Sequence, residues 1–149
     1  MRAVIQRVKH ANVVVDGVEV GAIGSGIMAL VASGEGDSDA DADYIANKIA
    51  DLRIFEDTEG KMNLTVGDID GSVLVISQFT LYGDCRKGRR PSFVKAMEPV
   101  EANRLVELVK HTIKDRGLPV QSGVFAADMK VSLLNDGPVT LLLDSSKSF

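Results

Sequence analysis

The chain has 149 residues, 45% of them hydrophobic and 26% charged, which predicts one globular domain spanning residues 1–149. The net charge of −4 argues against non-specific affinity for nucleic acid, although a local basic patch is compatible with it. No apolar run reaches the length of a membrane span and no signal-peptide pattern is present, so we expect a cytoplasmic protein with no membrane partner.

The first third of the chain predicts strands followed by a helix. Dense β-branched residues indicate strands over residues 3–8, 11–15, 18–23 and 27–32. Asp16-Gly17 is typical of a tight hairpin turn. An aspartate-rich segment that begins at Asp37 and Ser38 then predicts a helix start, since acidic residues compensate the helix dipole.

The middle of the chain predicts a central strand that ends in polar residues. Residues 53–56 indicate a short strand and residues 63–71 a loop, and the apolar run 72–76 indicates the central strand. The strand leads directly into Ser77, Gln78, Phe79 and Thr80. Such a strand end is a place where functional sites are commonly built, because the sheet holds them rigidly.

The last third predicts a second helix and three strands. Pro99 suits the first helical position and Gly117 the helix end. Strands are predicted over residues 120–125, 129–134 and 139–143, with residues 135–140 as a hairpin turn. Gly137 and Pro138 would make that turn a stiff projection without functional side chains. From these residues alone, an ordinary turn and a projection towards another molecule both remain open.

This pattern predicts an α+β fold, with mainly antiparallel sheets curling towards a barrel and two main helices. One dense basic run lies at Arg86, Lys87, Arg89 and Arg90. It could contact phosphate, or it could be an ordinary solvated loop.

The usual catalytic motifs are poorly supported. One cysteine, Cys85, and two separated histidines, His10 and His111, do not make a zinc site of normal spacing, so we predict no metal and no cofactor. No serine triad signature is present. The residues alone therefore predict only a site lined by main chain at the end of the central strand.

Several stretches together resemble one family. They are Gln6-Arg7-Val8, Arg53-Ile54-Phe55, Gly60-Lys61-Met62-Asn63-Leu64, Ser77-Gln78-Phe79-Thr80-Leu81, Gly88-x-Arg90-Pro91-Ser92-Phe93, Phe125-Ala126-Ala127-Asp128-Met129 and Asn135-Asp136-Gly137-Pro138-Val139-Thr140. In this order they are similar to D-aminoacyl-tRNA deacylases, and the resemblance extends over most of the chain.

The resemblance implies a homodimer that hydrolyses the ester between a D-amino acid and tRNA, and that also accepts glycyl-tRNA. Ser77, Gln78, Phe79 and Thr80 match the family's catalytic pocket. Gly137 and Pro138 match a Gly-cisPro pair that reaches into the other subunit's site and rejects L-amino acids. The resemblance further implies that Arg7 orients this pair and that Met129 lies next to the adenosine and the amino acid.

The chemical step has two interpretations at this point. Thr80 could be the nucleophile and form an acyl-enzyme, although no base for it is evident. Alternatively, the 2′-OH of the terminal tRNA ribose could assist hydrolysis, with backbone N–H groups near Phe79 and Thr80 as an oxyanion hole. A non-catalytic RNA-binding module is the remaining alternative.

Overall fold

Eight strands, two α-helices and one 3₁₀ helix make up this computed structural model, which describes all 149 residues. In chain order they are β1 (Arg2–Val15), β2 (Val18–Ile23), β3 (Gly26–Ala32), α1 (Asp39–Asp51), β4 (Phe55–Glu56), β5 (Met62–Leu64), β6 (Ser72–Ser77), the 3₁₀ helix (Phe79–Tyr82), α2 (Pro99–Asp115), β7 (Val120–Ser122) and β8 (Lys130–Asp144).

The long strand β1 organises the main sheet. Along one edge it pairs with β8, from Arg2 opposite Asp144 to Val14 opposite Lys130. Its other edge is shared, because β3 pairs with the first half of β1 and β2 pairs with the second half. The sheet then continues from β3 through β6 to β7. Two predicted strands, residues 3–8 and 11–15, are therefore one continuous strand.

The sheet curls into a nearly closed barrel, as predicted, because β2 approaches β7. A Cβ atom added to Gly21 of β2 would lie 2.8 Å from the carbonyl oxygen of Ser122 in β7. Only a residue without a side chain allows the two backbones to come this close.

Side chains on the two faces of the sheet form two separate cores, since successive residues of a strand point to opposite faces. Met28 and Leu74 belong to a cluster of seven buried residues, and Val8, Ala11 and Val13 of β1 complete one side of it. Residues of the opposite face, from β3 and β6, join both helices in a cluster of 19 buried residues.

Helices α1 and α2 begin where the sequence predicts. Ser38 precedes α1, and its backbone N–H donates to the Asp41 carboxylate at 2.8 Å. Pro99 is the first residue of α2, and the Glu98 carboxylate accepts hydrogen bonds from the N–H groups of Val100 and Glu101. Neither helix has the length and apolar character that crossing a membrane requires.

Antiparallel pairing predominates, as expected, but two pairings are parallel. β3 pairs in parallel with β6, and β6 pairs in parallel with β7. Each connection contains one of the two helices, which is the usual way to join parallel neighbours. The hairpin pattern of the sequence did not predict these two crossovers.

The predicted hairpin at residues 135–140 is wrong. Residues 130–144 form the single strand β8, and both of its halves pair with the same strand, β1. β1 is 14 residues long and can accommodate both halves. The strand predicted over residues 120–125 is also shorter than expected and ends at Ser122, while the predicted loop 63–71 overlaps the short strand β5.

Candidate active site and the bulge in strand β8

A cavity of about 470 Å³ lies where β6 ends, which is the size of a small-molecule site. Four of the residues singled out from the sequence line it: Ser77, Gln78, Phe79 and Met129. The Thr80 side chain is exposed and is not part of the lining. Hydrophobic residues account for 12 of the 17 lining residues, so the cavity favours an apolar or aromatic group with a few polar contacts.

The turn from β6 into the 3₁₀ helix leaves backbone donors free beside this cavity. The N–H of Gln78 donates to the carbonyl of Val31 at 2.8 Å and so extends the pairing with β3. The next two N–H groups, of Phe79 and Thr80, have no backbone acceptor in the chain. First-turn amides of a helix lack an intrahelical partner, so they are available to bind an oxygen atom.

The hydroxyl of Thr80 has no base beside it. It accepts a hydrogen bond from the side-chain amide of Gln78. His111 lies on α2, its Nε2 3.2 Å from a carboxylate oxygen of Asp115, and neither it nor His10 lines the cavity. An amide group cannot take a proton from Thr80, so this arrangement does not activate the hydroxyl as a nucleophile.

A cluster that the sequence did not predict braces the 3₁₀ helix from the other side. The Tyr82 hydroxyl donates to Asp37 at 3.2 Å, and Asp37 also accepts from the N–H of Gly34 at 2.6 Å. The Arg2 guanidinium lies 4.7 Å from the centre of the Tyr82 ring and donates to the carbonyl of Leu81 at 3.2 Å. Burial, and then the Asp37 charge, raises the pKa of Tyr82, so its hydroxyl stays protonated.

The Gly137-Pro138 pair lies in a bulge in the middle of β8, not at the tip of a hairpin. Gln6 pairs with Thr140 and Val8 pairs with Asn135, so residues 136–139 face the single residue Arg7 across the ladder. Three additional residues in one strand push the backbone out of the sheet. The Gly137-Pro138 peptide bond is cis, and both residues are exposed.

Arg7 ties this bulge to the sheet. Its side chain is buried, with the whole residue 5% exposed. Its Nε donates to the carbonyl of Asp136 at 2.9 Å and its Nη1 donates to the carbonyl of Ile54 at 2.7 Å. A Cβ on Gly137 would lie 2.9 Å from Arg7 Nη2, so the Gly137 backbone packs directly against the guanidinium.

The bulge and the large cavity are separate within one chain. Arg7, Gly137 and Pro138 do not line the cavity at the end of β6. Arg7 and Asp136 instead line a second, more polar cavity of about 410 Å³. The residues predicted to form one site therefore fall in two places on the single chain.

The basic run lies in an exposed loop between Asp84 and Ser92, whose backbones hydrogen-bond to each other. Arg86 is paired with Asp84 at 2.7 Å, and its hydrogen bonds lower the pKa of that carboxyl. Lys87, Arg89 and Arg90 form no ion pair within the chain. Three positive charges are therefore free to meet a polyanion.

Comparison with known proteins finds close relatives over the whole chain. A family model described as D-Tyr-tRNA(Tyr) deacylase matches residues 4–144. A D-aminoacyl-tRNA deacylase of Heliobacterium modesticaldum is 60% identical over 144 residues, covering 97% of this chain and 96% of that protein. One of Thermotoga petrophila is 54% identical over 149 residues, covering all of both chains.

Solved structures agree on the fold. A protein described as c-Myc DNA Unwinding Element Binding Protein superposes with a TM-score of 0.90 at 36% identity, covering 97% of this chain and 98% of that one. A probable eukaryotic D-amino acid tRNA deacylase superposes with a TM-score of 0.80 at 20% identity, covering 95% and 97%. At that lower identity the likeness supports the fold alone.

Replacing Arg7 with lysine tests how strongly the bulge depends on the guanidinium. A lysine ammonium can serve one of the two carbonyls but not both in the fixed geometry of a guanidinium. We expect Arg7→Lys to lower the free energy of unfolding by about 1–3 kcal/mol, the cost of a buried carbonyl left without its donor. Urea unfolding measures this change.

Lys9→Met is the matched control, because Lys9 contacts Asp136 only through an exposed ion pair of 3.5 Å. Loss of such a pair changes stability by at most about 1 kcal/mol. Equal destabilisation by the two variants would show that the hydrogen bonds of Arg7 to the two carbonyls stabilise the bulge no more than the exposed ion pair of Lys9 does.

Proposed function

The chain belongs to the D-Tyr-tRNA(Tyr) deacylase family, and we propose that it hydrolyses the ester of D-aminoacyl-tRNA, releasing the free D-amino acid and tRNA. The observation that carries this proposal is the 54–60% identity, over nearly the whole chain, to relatives named D-aminoacyl-tRNA deacylase. In this proposal the chain acts in the cytoplasm and removes D-amino acids from wrongly charged tRNA before they reach translation.

The cavity at the end of β6 is the proposed site for the aminoacylated 3′ end of the tRNA. Its volume and largely apolar lining suit a terminal adenosine with an attached amino acid. Ser77, Gln78 and Phe79 line the side where β6 ends, and Met129 lines the side near β8. In this proposal Met129 lies next to the adenosine and the amino acid.

The Gly137-Pro138 pair is the proposed source of chiral selectivity. If the site fixes the ester carbonyl and the α-amino group, a D- and an L-amino acid differ only by exchanging the side chain with the hydrogen. A rigid backbone placed where an L side chain would lie excludes it, whereas a flexible side chain could move away. Glycine has no side chain to exclude, so glycyl-tRNA is also a proposed substrate.

A homodimer would bring this pair to the cavity. Within one chain Gly137 and Pro138 do not line the cavity, so the bulge acts there only if it comes from a second copy. Leu134 and Leu142 on the same strand are exposed, at 51% and 60%, and provide apolar surface for such an interface. A monomer that still distinguishes D from L substrates would contradict this arrangement.

The terminal ribose of the tRNA is the proposed assistant in the chemical step. Water adds to the ester carbonyl, the bond from the carbonyl carbon to O3′ breaks, and O3′ leaves with a proton. The unpaired N–H groups of Phe79 and Thr80 support an oxyanion hole for the negative charge that develops on the carbonyl oxygen. The neighbouring 2′-OH would orient the water, because no protein base lies beside Thr80.

Two alternatives lead to different results. A Thr80 nucleophile would form a covalent acyl-enzyme, which rapid denaturation during turnover would trap. A module that binds nucleic acid without catalysis would release no amino acid. The second alternative draws some support from the neighbour named for binding a DNA element, but the net charge of −4 counts against it.

A release assay with D-Tyr-tRNA and L-Tyr-tRNA in parallel tests the proposed function. We expect release of the D-amino acid to be at least about a hundredfold faster, because steric exclusion by rigid backbone exceeds the discrimination of a flexible apolar pocket. Glycyl-tRNA should be cleaved as well. Equal rates with the two tyrosyl substrates, or no release from either, would refute the proposal.

Thr80→Ala distinguishes the two mechanisms. If the tRNA 2′-OH assists the reaction, this variant should keep turnover within about tenfold of the wild type, whereas loss of a nucleophile would abolish it. With a tRNA that ends in 2′-deoxyadenosine, turnover should fall at least about a hundredfold in both proteins.

Two controls accompany these measurements. A tRNA with the 2′-deoxy group at the penultimate nucleotide should behave as the unmodified tRNA, and Thr80→Ser should behave as the wild type. Complete loss of activity in a folded Thr80→Ala variant would favour the acyl-enzyme instead.

The loop 86–90 is the proposed contact for the acceptor stem, through its unpaired cations. Replacing Lys87, Arg89 and Arg90 with glutamine should weaken tRNA binding. It should also reduce the slope of log affinity against log salt by about 2–3, since each phosphate contact contributes about 0.9. Lys114→Gln, on the exposed surface of α2, is the control and should change neither. An unchanged slope in the triple variant would identify the run as an ordinary solvated loop.

A further inference from the structure

We propose that Asn135 and Thr140 are positioning residues that fix the backbone conformation of the bulge in β8 and thereby set the stereoselectivity of the site. This inference rests on the proposed function, in which Gly137 and Pro138 exclude L substrates. Neither residue lines the cavity at the end of β6 within its own chain. Their effect on the reaction would be transmitted through the shape of the backbone between them.

Asn135 spans the bulge with both ends of its amide group. Its Oδ1 accepts a hydrogen bond from the N–H of Val139 at 2.8 Å, and its Nδ2 donates to the Thr140 hydroxyl oxygen at 3.0 Å. The first contact closes a ring around residues 136–138. A longer contact, from Gln6 Nε2 to the Thr140 hydroxyl at 3.4 Å, links this pair to β1.

These contacts replace the ladder that the bulge interrupts. β8 leaves its register with β1 after Asn135 and regains it at Thr140, so the groups between them need other partners. Pro138 has no N–H to offer. The N–H of Val139 is the first donor after it, and the Asn135 side chain accepts from it.

Arg7 holds only the opposite end of the bulge. Its guanidinium binds the carbonyl of Asp136, the first residue of the bulge, whereas Asn135 binds the N–H of Val139, the last. The Val139 side chain is buried and anchors the same end. Gly137 and Pro138 are therefore held between two independent attachments, and releasing either one would let the exposed pair move.

The consequence is an asymmetric effect on the two substrates. If the Gly137-Pro138 backbone could move, the site would admit an L side chain and the cleavage rate of L-aminoacyl-tRNA would rise. The rate for the D substrate would change little, because the D side chain points away from the bulge in the proposed site. A general loss of folding would instead lower both rates, so the ratio of the two separates a positioning role from a structural one.

The test measures D-Tyr-tRNA and L-Tyr-tRNA cleavage by Asn135→Ala in the full chain. We expect the L rate to rise about tenfold and the D rate to stay within about threefold of the wild type. Asn47→Ala is the matched control, since Asn47 on α1 loses one exposed hydrogen bond from Arg116. It should leave the ratio unchanged. An unchanged ratio in Asn135→Ala, or an equal fall of both rates in a folded protein, would overturn the inference.

Two further variants cover the case in which Asn135→Ala does not fold. Thr140→Val removes the hydroxyl and should shift the ratio in the same direction, and Thr140→Ser should restore the wild-type ratio. A wild-type ratio in Thr140→Val would overturn the role of Thr140 in the inference.

Hydrogen exchange at the Val139 amide separates the inference from the proposed function. In Asn135→Ala this amide should exchange about tenfold faster, whether or not the protein cleaves any tRNA. Faster exchange in Asn135→Ala would support the role of Asn135 in holding the bulge. If the wild type then showed no chiral selectivity, the proposed function would be refuted while that role of Asn135 would stand. An unchanged exchange rate of the Val139 amide in Asn135→Ala would show that Asn135 does not hold the bulge, even if the wild type is selective.

Discussion

Arg7 carries a charge into the interior, and the geometry of the bulge depends on how that charge is satisfied. A buried guanidinium is costly unless its donors find acceptors. Here they find two backbone carbonyls, of Asp136 and Ile54, from segments far apart in the chain, and the Asp136 carboxylate lies 3.7 Å from Arg7 Nε. The Arg7 side chain therefore fixes the bulge of β8 relative to the segment before β4.

The two halves of the proposed site are built on different principles. The cavity at the end of β6 is a concave, largely apolar space supported by both cores of the protein. The bulge is a convex stretch of backbone whose shape is set by polar contacts. In the proposed homodimer, the bulge of one chain would meet the cavity of the other.

The chemistry that the site can perform follows from what it presents. It offers backbone N–H groups at the start of the 3₁₀ helix, and the Thr80 hydroxyl is hydrogen-bonded to the side-chain amide of Gln78. The one carboxylate in the lining, Asp128, is paired with Lys130 at 3.0 Å. Such a site can bind, orient and stabilise charge, but it places no base in a hydrogen bond with Thr80. A substrate that brings its own hydroxyl next to the ester, as an aminoacylated ribose does, suits this limitation. The brace formed by Asp37 and Tyr82 keeps the donors in position.

Local sequence determined the parts of this protein that depend on neighbouring residues. The cap of α1 at Ser38, the start of α2 at Pro99, the buried run that ends at Ser77 and the exposed basic loop were all predicted from residue type and spacing. These features arise from steric and hydrogen-bonding rules within a few residues. The family resemblance added the pairing of Arg7 with the Gly137-Pro138 segment, which no local rule contains.

Tertiary structure alone decided the features that join distant segments. Arg7 and Asp136 are 129 positions apart, and the hydrogen bond between them exists only because β1 pairs with β8. The same pairing turns an apparent hairpin into a bulge, since a 14-residue partner strand accepts both flanking runs. The contact of Asp37 with Tyr82 and the two parallel pairings, of β3 with β6 and of β6 with β7, likewise join distant segments. Which strands pair depends on the relative free energies of all possible pairings between distant segments. A pattern within a few residues contains no information about these differences.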